Sequence, residues 1–461
     1  MTTSNNHFLL KNFSFNEGDV VYMIGIGGIG MSALARYFFA RKCKVVGYDK
    51  TQTGLTKSLE EIGIKISYTD DIESVEKNAK VVVYTPAIPA THIGLQFYRD
   101  NQYLVVKRSD VLQWISENTF NICIAGTHGK TTVTSMVAHI LRDSNYGCTA
   151  FLGGIAANYN TNFWSSDNNV VVVEADEYDR SFLKLSPDIA IITSMDADHL
   201  DIYGTADEVE NAFVQFSQKV KAGGCLVTKY GLSRANDLHT TYTYSIDNSS
   251  AAVSIQNLKV IQGSYQFDVI HSNWQLTNVV LHMGGLHNIE NAIAAITVAK
   301  HLHIDDTKIK AAIASFKGVK RRFEYVLKTN NAVLIDDYAH HPAELKALIT
   351  GVKSIFPEQK LTLVFQPHLF SRTQDLANEF AESLSMADEV ILLPIYPARE
   401  LPIEGVTSEL LLNKMSLQSK QILEKTALLT WVKEHKPRLL VMAGAGDIDT
   451  LLEPVKQILN T

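Results

Sequence analysis

Chemistry in this 461-residue chain concentrates where short apolar runs stop. One such run leads into Gly126-Thr127-His128-Gly129-Lys130-Thr131-Thr132, and a helical pattern resumes through Ser135, Met136, Val137 and Ile140. A glycine loop at a helix N-terminus points backbone N–H groups at an anion, and the helix dipole adds to the attraction. Lys130 is placed to reach the terminal phosphates of a nucleotide, and the hydroxyl of Thr131 or Thr132 to sit on magnesium. The general phosphate-loop pattern would want a glycine where the chain has Ile124, so only the shorter form stands.

A second glycine loop lies upstream. Val20 to Ile24 runs into Gly25-Ile26-Gly27-Gly28-Ile29-Gly30, a helix pattern follows over Met31 to Arg41, and a second strand, Lys44 to Tyr48, ends at Asp49. That is a complete G-x-G-x-x-G unit with an acid at the ribose-binding distance. Its glycines permit close approach to any diphosphate, in NAD, FAD or a UDP-sugar alike. Lys80 to Tyr84 leads into a proline-punctuated loop at Thr85, and Lys107-Arg108-Ser109 follows a further short strand where it could meet phosphates.

Carboxylates close the middle strands. Val170 to Val173 ends in Glu174-Ala-Asp176-Glu177-Tyr-Asp179, and beside a phosphate loop a strand-end carboxylate suits a hard cation. Ile189 to Ser194 ends near Asp198 and His199, candidates for a cation or phosphate site. Asn288 and Asn291 lie three apart at the start of a helical stretch; their amides suit an adenine edge or a helix cap equally well. In the last third, Val333 to Ile335 leads into Asp336-Asp337-Tyr338-Ala-His340-His341, and Leu361 to Phe365 into Gln366-Pro-His368 with Arg372. Adjacent histidines cannot easily both face one metal, so zinc is disfavoured there.

The elements that position these groups alternate strand and helix, which predicts α/β domains with mostly parallel sheets. Tyr230 to Asn278, polar with short alternating runs, reads as an antiparallel β insertion. The length predicts about three domains. A net charge of −7 argues against a general nucleic-acid binder. Four scattered cysteines without metal spacing suggest a reduced, cytoplasmic protein, and no signal peptide or span of about 18 apolar residues is visible.

Taken together, Gly25-Ile-Gly-Gly-Ile-Gly-Met-Ser32, Gly126 to Thr132, Glu174 to Asp179, Asp198-His-Leu-Asp201, His287-Asn288 with Asn291, Arg321-Arg322-Phe323, Asp336 to Pro342 and Phe365-Gln-Pro-His368 with Ser371-Arg-Thr373 resemble the Mur ligase family over nearly the whole chain. The resemblance implies a UDP-binding Rossmann-like domain (1–115), a central ATPase (116–320) and a C-terminal Rossmann-like domain (321–461). It implies that Gly25, Gly27, Gly28, Ile29, Gly30, Asp49, Thr85 and Ser109 face the UDP-sugar. By the same resemblance Gly126 to Thr132, Asn288 and Asn291 lie at ATP, Thr131 and Glu174 hold magnesium, and His199 helps a second ion. Lys130, Glu174, His199, Arg322 and His341 would be catalytic, with His199 and His341 as open candidates for the base. Asp337, Tyr338, His340, His341, His368 and Arg372 would line the amino-acid side. The implied reaction joins L-alanine to UDP-N-acetylmuramate through an acyl phosphate, in a monomer or weak homodimer. A tripeptide-adding recycling ligase and a nicotinamide-dependent oxidoreductase are the alternatives; the second phosphate loop and the Glu174 cluster disfavour the latter.

Overall fold

The computed structural model describes residues 14–196, 200–261, 264–398 and 400–460. Three sheets carry the fold. The first has the order β3-β2-β1-β4-β5, from β1 (Val20–Ile24), β2 (Lys44–Tyr48), β3 (Lys65–Ser67), β4 (Val81–Tyr84) and β5 (Val105–Lys107), all parallel. The chain reverses its direction of travel across the sheet between β1 and β4, and the crevice at such a switch point is where open α/β sheets receive ligands.

The second sheet is built on β6 (Phe120–Ala125), β7 (Thr149–Ala156), β8 (Thr161–Trp164), β9 (Val170–Glu174), β10 (Ile189–Ile192) and β11 (Cys225–Lys229), in the order β11-β10-β6-β9-β7-β8. Only β8 in this set runs antiparallel. Ile122, Cys123, Ile124 and Ala125 are fully buried, as a strand covered on both faces requires. Burying each large aliphatic side chain there contributes about 1.5–3 kcal/mol. The order places β6 between β9 and β10, so the loop after β6 lies beside two strand ends.

The edge beyond β11 corrects the expected antiparallel insertion. β12 (Tyr242–Tyr244) pairs parallel with β11, and its one bridge to β13 (Val253–Ile261), at Tyr244 and Val253, is parallel too. Residues 230–241 give enough chain for a crossover, and Tyr244 is buried. Only β13, β14 (Ser264–His271) and β15 (Trp274–Leu281) are joined by two-residue links, too short for anything but antiparallel neighbours.

The third sheet has the order β16-β17-β21-β18-β19-β20, from β16 (Glu324–Lys328), β17 (Val333–Asp337), β18 (Leu361–Phe365), β19 (Glu389–Leu392), β20 (Lys420–Ile422) and β21 (Leu439–Ala443). It is parallel except for the antiparallel edge strand β16.

These sheets give the expected α/β architecture, gathered into two compact units. One comprises Met1–Gln256, Asp268–Thr277 and Glu290–Ile313; the other comprises Asn257–Phe267, Asn278–Ile289 and Ala314–Thr461. The first unit holds the first sheet together with β6 to β12 of the second. Helix α1 (Ile29–Ala40) lays Tyr37 against Phe151 and Phe163, with ring centroids 5.4 and 6.3 Å away. The buried Asn162 amide on β8 donates to the Ile29 carbonyl at 2.6 Å and to the Ser32 hydroxyl at 2.9 Å. No helix among the described residues is long and apolar enough to cross a membrane.

Candidate active site

The first glycine loop leaves β1 and enters α1 with Gly28 as its N-cap. Gly25 has φ 81°, and Thr85 and Ile88 from the loop after β4 pack where its Cβ would stand. Asp49, at the end of β2, accepts from the Gly27 N–H at 2.7 Å and from the Thr51 N–H at 3.2 Å, so its carboxylate braces the loop. The Arg108 guanidinium lies over Gly30 so closely that a Cβ there would meet Nη1. Arg108 pairs with Asp176 at 3.3 Å, Lys107 with Asp179 at 3.3 Å, and the Ser109 hydroxyl accepts from Lys184 Nζ at 3.0 Å.

The second loop, between β6 and helix α2 (Lys130–Asp143), holds Gly126 at φ 135° and Gly129 at φ 81°. A Cβ on Gly126 would strike the Thr193 hydroxyl, and one on Gly129 would lie 2.8 Å from the Asn291 side-chain oxygen. Asn291 therefore lies against the loop. Thr127 donates its hydroxyl to the Asp196 carbonyl at 2.8 Å, the His128 N–H donates to Ser194, and the His128 ring is 3.8 Å from Asp196. Thr132 is buried at the first turn of α2.

Lys130 Nζ folds back on its own loop, donating to the Gly126 carbonyl at 2.7 Å and pairing with Glu177 at 2.7 Å. Glu177 is only 2 % exposed, and burial pushes its carboxyl above the usual range against the pull of Lys130. The Thr131 hydroxyl donates to Glu174 Oε1 at 3.1 Å, while Glu174 Oε2 accepts from the Gly153 N–H at 3.2 Å. A side chain at 153 would overlap that carboxylate, so only glycine admits it. Two oxygen donors side by side at a helix start fit a magnesium ion that keeps several waters and takes its other ligands from phosphates. Among the described residues no three His, Cys, Asp or Glu side chains are grouped to hold a metal alone. His199 and Asp198 lie outside the described residues.

The second unit gathers the remaining candidates. Asn288 sits at the start of helix α3 (Leu286–His301), where its amide donates to the Gly284 carbonyl at 2.6 Å. At the end of β17, Asp337 accepts from the Phe323 N–H and the Ala339 N–H, both at 2.7 Å, and burial lifts its pKa to about 6. Tyr338 is 40 % exposed and packs edge-on against His340, whose Nδ1 lies 2.8 Å from the Tyr338 carbonyl. That carbonyl can only accept, so Nδ1 carries the proton and Nε2 keeps its lone pair. His341 caps helix α4 (Pro342–Ile355), its Nδ1 accepting from the Ala343 N–H at 3.4 Å.

The His368 ring lies 6.0 Å from His340 and stacks on Tyr396 at 5.8 Å. Burial, reinforced by the nearby Arg372 cation, lowers the pKa of both His340 and His368 and keeps them neutral. His368 Nδ1 and Arg372 Nη1 are buried without a hydrogen-bond partner in the protein. Glu400 holds the turn before Arg372 through the Ser371 N–H at 3.0 Å and the Ser371 hydroxyl.

Gly153 and Thr193 are not among the residues the sequence motifs single out, and Tyr396 and Glu400 stand in a strand-end turn to which the motifs give no role. Gly153 had a signal, the Gly153-Gly154 pair inside a strand run. Tyr396 and Glu400 lie in the Pro394 to Glu400 stretch that follows a buried strand.

Comparison with known proteins agrees with this layout. Residues 20–119 match the Mur ligase family catalytic domain, 124–299 the Mur ligase middle domain and 321–448 the Mur ligase glutamate ligase domain. A UDP-N-acetylmuramate–L-alanine ligase of Cytophaga hutchinsonii is 47% identical over 446 residues, covering 95% of this chain and 96% of that protein. The crystal structure of a UDP-N-acetylmuramate–alanine ligase of Thermotoga maritima superposes with TM-score 0.80 at 26% identity, over 95% of this chain and 98% of that one. A murein peptide ligase of Psychrobacter arcticus shares the fold, with TM-score 0.66 at 22% identity over 96% and 99% of the two chains. With three Mur ligase family models matched in succession over most of its length and nearly half its residues identical to those of one such ligase, the chain belongs to the Mur ligase family.

Proposed function

We propose that this protein joins L-alanine to the carboxylate of UDP-N-acetylmuramate at the expense of ATP, giving UDP-N-acetylmuramoyl-L-alanine, ADP and phosphate. The observation that carries the reading is the unequal equipment of two nucleotide loops in one chain. The loop at Gly126 brings its own lysine and adjoins Thr131 and Glu174, whereas the loop at Gly25 is braced by Asp49 and has only Arg108 above it. The first is built to move a phosphoryl group, the second to hold a diphosphate. The choice of L-alanine follows the named relatives.

A carboxylate is a poor electrophile, so its oxygen first attacks the terminal phosphorus of ATP, releasing ADP and forming an acyl phosphate. Lys130 leaves Glu177 and neutralises charge on the transferred group, and the loop N–H groups hold the other phosphates. Thr131 and Glu174 would hold a magnesium ion, which would supply Lewis-acid stabilisation of that charge, and His199 would belong with a second ion. Arg322 adds a further cation, and Asn288 and Asn291 adjoin the nucleotide.

The amine of L-alanine then attacks the acyl carbon, and the tetrahedral intermediate expels phosphate. His340, His368, Arg372, Asp337 and Tyr338 form the amino-acid side. The ammonium must first lose a proton, and His199 and His341 are the candidate acceptors. His341 can serve only by giving up its helix cap. Domains 1–115, 116–320 and 321–461 divide UDP-sugar, ATP and amino-acid binding, in a cytoplasmic monomer or weak homodimer.

Phosphate release from ATP and UDP-N-acetylmuramate, with L-alanine or with the recycling tripeptide, tests the reading. Release with L-alanine alone is expected. Release with the tripeptide alone would move the protein to the recycling branch, and release with neither would refute the substrate assignment.

A further inference from the structure

The turn that carries Arg322 has an unusual backbone. Arg321 (φ 62°) and Phe323 (φ 47°) flank it, both in the left-handed region that residues with side chains seldom occupy. Such a turn persists only when its surroundings over-determine it. Here the fixing contacts converge on Arg321. Its N–H donates to Glu324 at 2.9 Å, and its carbonyl accepts from the Tyr338 N–H at 2.6 Å. Its guanidinium donates to the carbonyls of Gly444 at 2.5 Å and Gly446 at 3.4 Å, pairs with Asp449 at 3.4 Å and lies over the Tyr338 ring at 5.0 Å.

Beneath it lies Asp336, 0 % exposed, whose carboxylate oxygens make no hydrogen bond in the protein and whose nearest cation is Arg321 Nε at 3.7 Å. Asp336 is raised to about 7 by burial, a rise that Arg321 opposes. By contrast Arg322 is exposed, and its positive charge acts on Asp337, opposing the rise that burial gives that carboxyl. Arg321 gives both its Nη atoms to structure, with its buried Nε beside Asp336 and without a hydrogen-bond partner, while the Arg322 side chain reaches the surface.

We propose that Arg321 is a positioning residue: by tying the end of β17 to the Gly444–Gly446 loop after β21, it holds the strained turn that carries Arg322 in the conformation its function needs. The inference rests on the phosphate-binding reading of Arg322. Lysine could not replace it, because a single ammonium cannot span two carbonyls and two carboxylates in the plane that a guanidinium fork fits.

A double-mutant cycle tests this on the full chain, measuring kcat for L-alanine-dependent phosphate release, KM for UDP-N-acetylmuramate and thermal midpoint. Arg322→Gln is expected to lower kcat about 100-fold, the scale of one lost charge-stabilising donor. Arg321→Gln is expected to lower kcat about tenfold or more, with KM for the UDP-sugar unchanged. Because Arg321 acts through Arg322, the double variant should equal Arg322→Gln within about twofold. Losses that multiply would overturn the proposal, as would an Arg321→Gln enzyme with unchanged kcat. Normal turnover in Arg322→Gln alone would instead remove the reading on which it rests. Should Arg321→Gln fail to fold, Asp449→Asn replaces it, since Asp449 is half-exposed and touches only the edge of the guanidinium. Its loss, about two- to fivefold, should vanish on the Arg322→Gln background, and a loss that persists there would count against the proposal.

Discussion

The two glycine loops of the first unit share one plan and differ in where their charges come from. Each follows a parallel strand buried beyond its first residue and opens a helix. The loop at Gly25 has no cation of its own: Arg108 reaches over it from the end of β5, and Asp49 occupies the Gly27 N–H. The loop at Gly126 carries Lys130 within it and leaves the acids to the neighbouring strand β9. The two are physically linked, because consecutive residues of one turn, Asp176 and Glu177, hold Arg108 and Lys130 respectively. A loop that only grips a diphosphate needs fixed charges around it. A loop that stabilises a moving phosphoryl group needs a flexible cation that travels with it.

The largest test of that contrast is Lys130→Ala. Turnover should fall by at least about a thousandfold while UDP-N-acetylmuramate binding, measured by calorimetry, stays within about twofold. Comparable loss of UDP-sugar affinity would mean that the loops do not divide the work. Next in size is Gly27→Ala. The added methyl would stand 2.6 Å from Thr56 Cγ2 and 2.8 Å from Asp49 Oδ2, so the brace must move. We expect KM for UDP-N-acetylmuramate to rise about 10- to 100-fold with KM for ATP unchanged, since a displacement near 1 Å in a binding loop costs on that scale. An equal rise in both constants would erase the distinction.

The strand-to-loop corners were legible in the sequence because strands buried on both faces are written as unbroken apolar runs, such as Ile122 to Ala125 and Val170 to Val173. The glycines were legible because close approach forbids a Cβ. The partnerships were not. That Lys130 meets Glu177 depends on β6 lying beside β9, which is strand order rather than local pattern. Left-handed residues such as Asp179, Arg180, Arg321 and Phe323 carry no sequence signal, since their backbone is imposed by neighbours. β12 was misread because a three-residue strand has the same alternation in either pairing direction. Asn288 could be cap or ligand, as an amide serves both, and its bond to the Gly284 carbonyl is a partnership that the local sequence does not announce.

The smallest expected effect is the sharpest on mechanism, because it follows protons. Glu177 is buried and its carboxyl is already raised, with Lys130 as the cation that restrains the rise. When ATP draws Lys130 away, that restraint is removed and the folded-state pKa climbs further. A group whose pKa rises on binding takes up protons, so ATP should bind more tightly as pH falls through the interval between the free and bound pKa values. The gain is at most about tenfold per pH unit for one group. Titrating ATP calorimetrically in buffers of different ionisation enthalpy should show fractional proton uptake, and Glu177→Gln should abolish it. UDP-N-acetylmuramate should show no such Glu177-dependent uptake, because the loop at Gly25 has Arg108 as its cation and draws nothing from the Lys130–Glu177 pair. Uptake with ATP that survives in Glu177→Gln would mean that Lys130 stays on its carboxylate and that the cation travelling with the phosphoryl group is another residue.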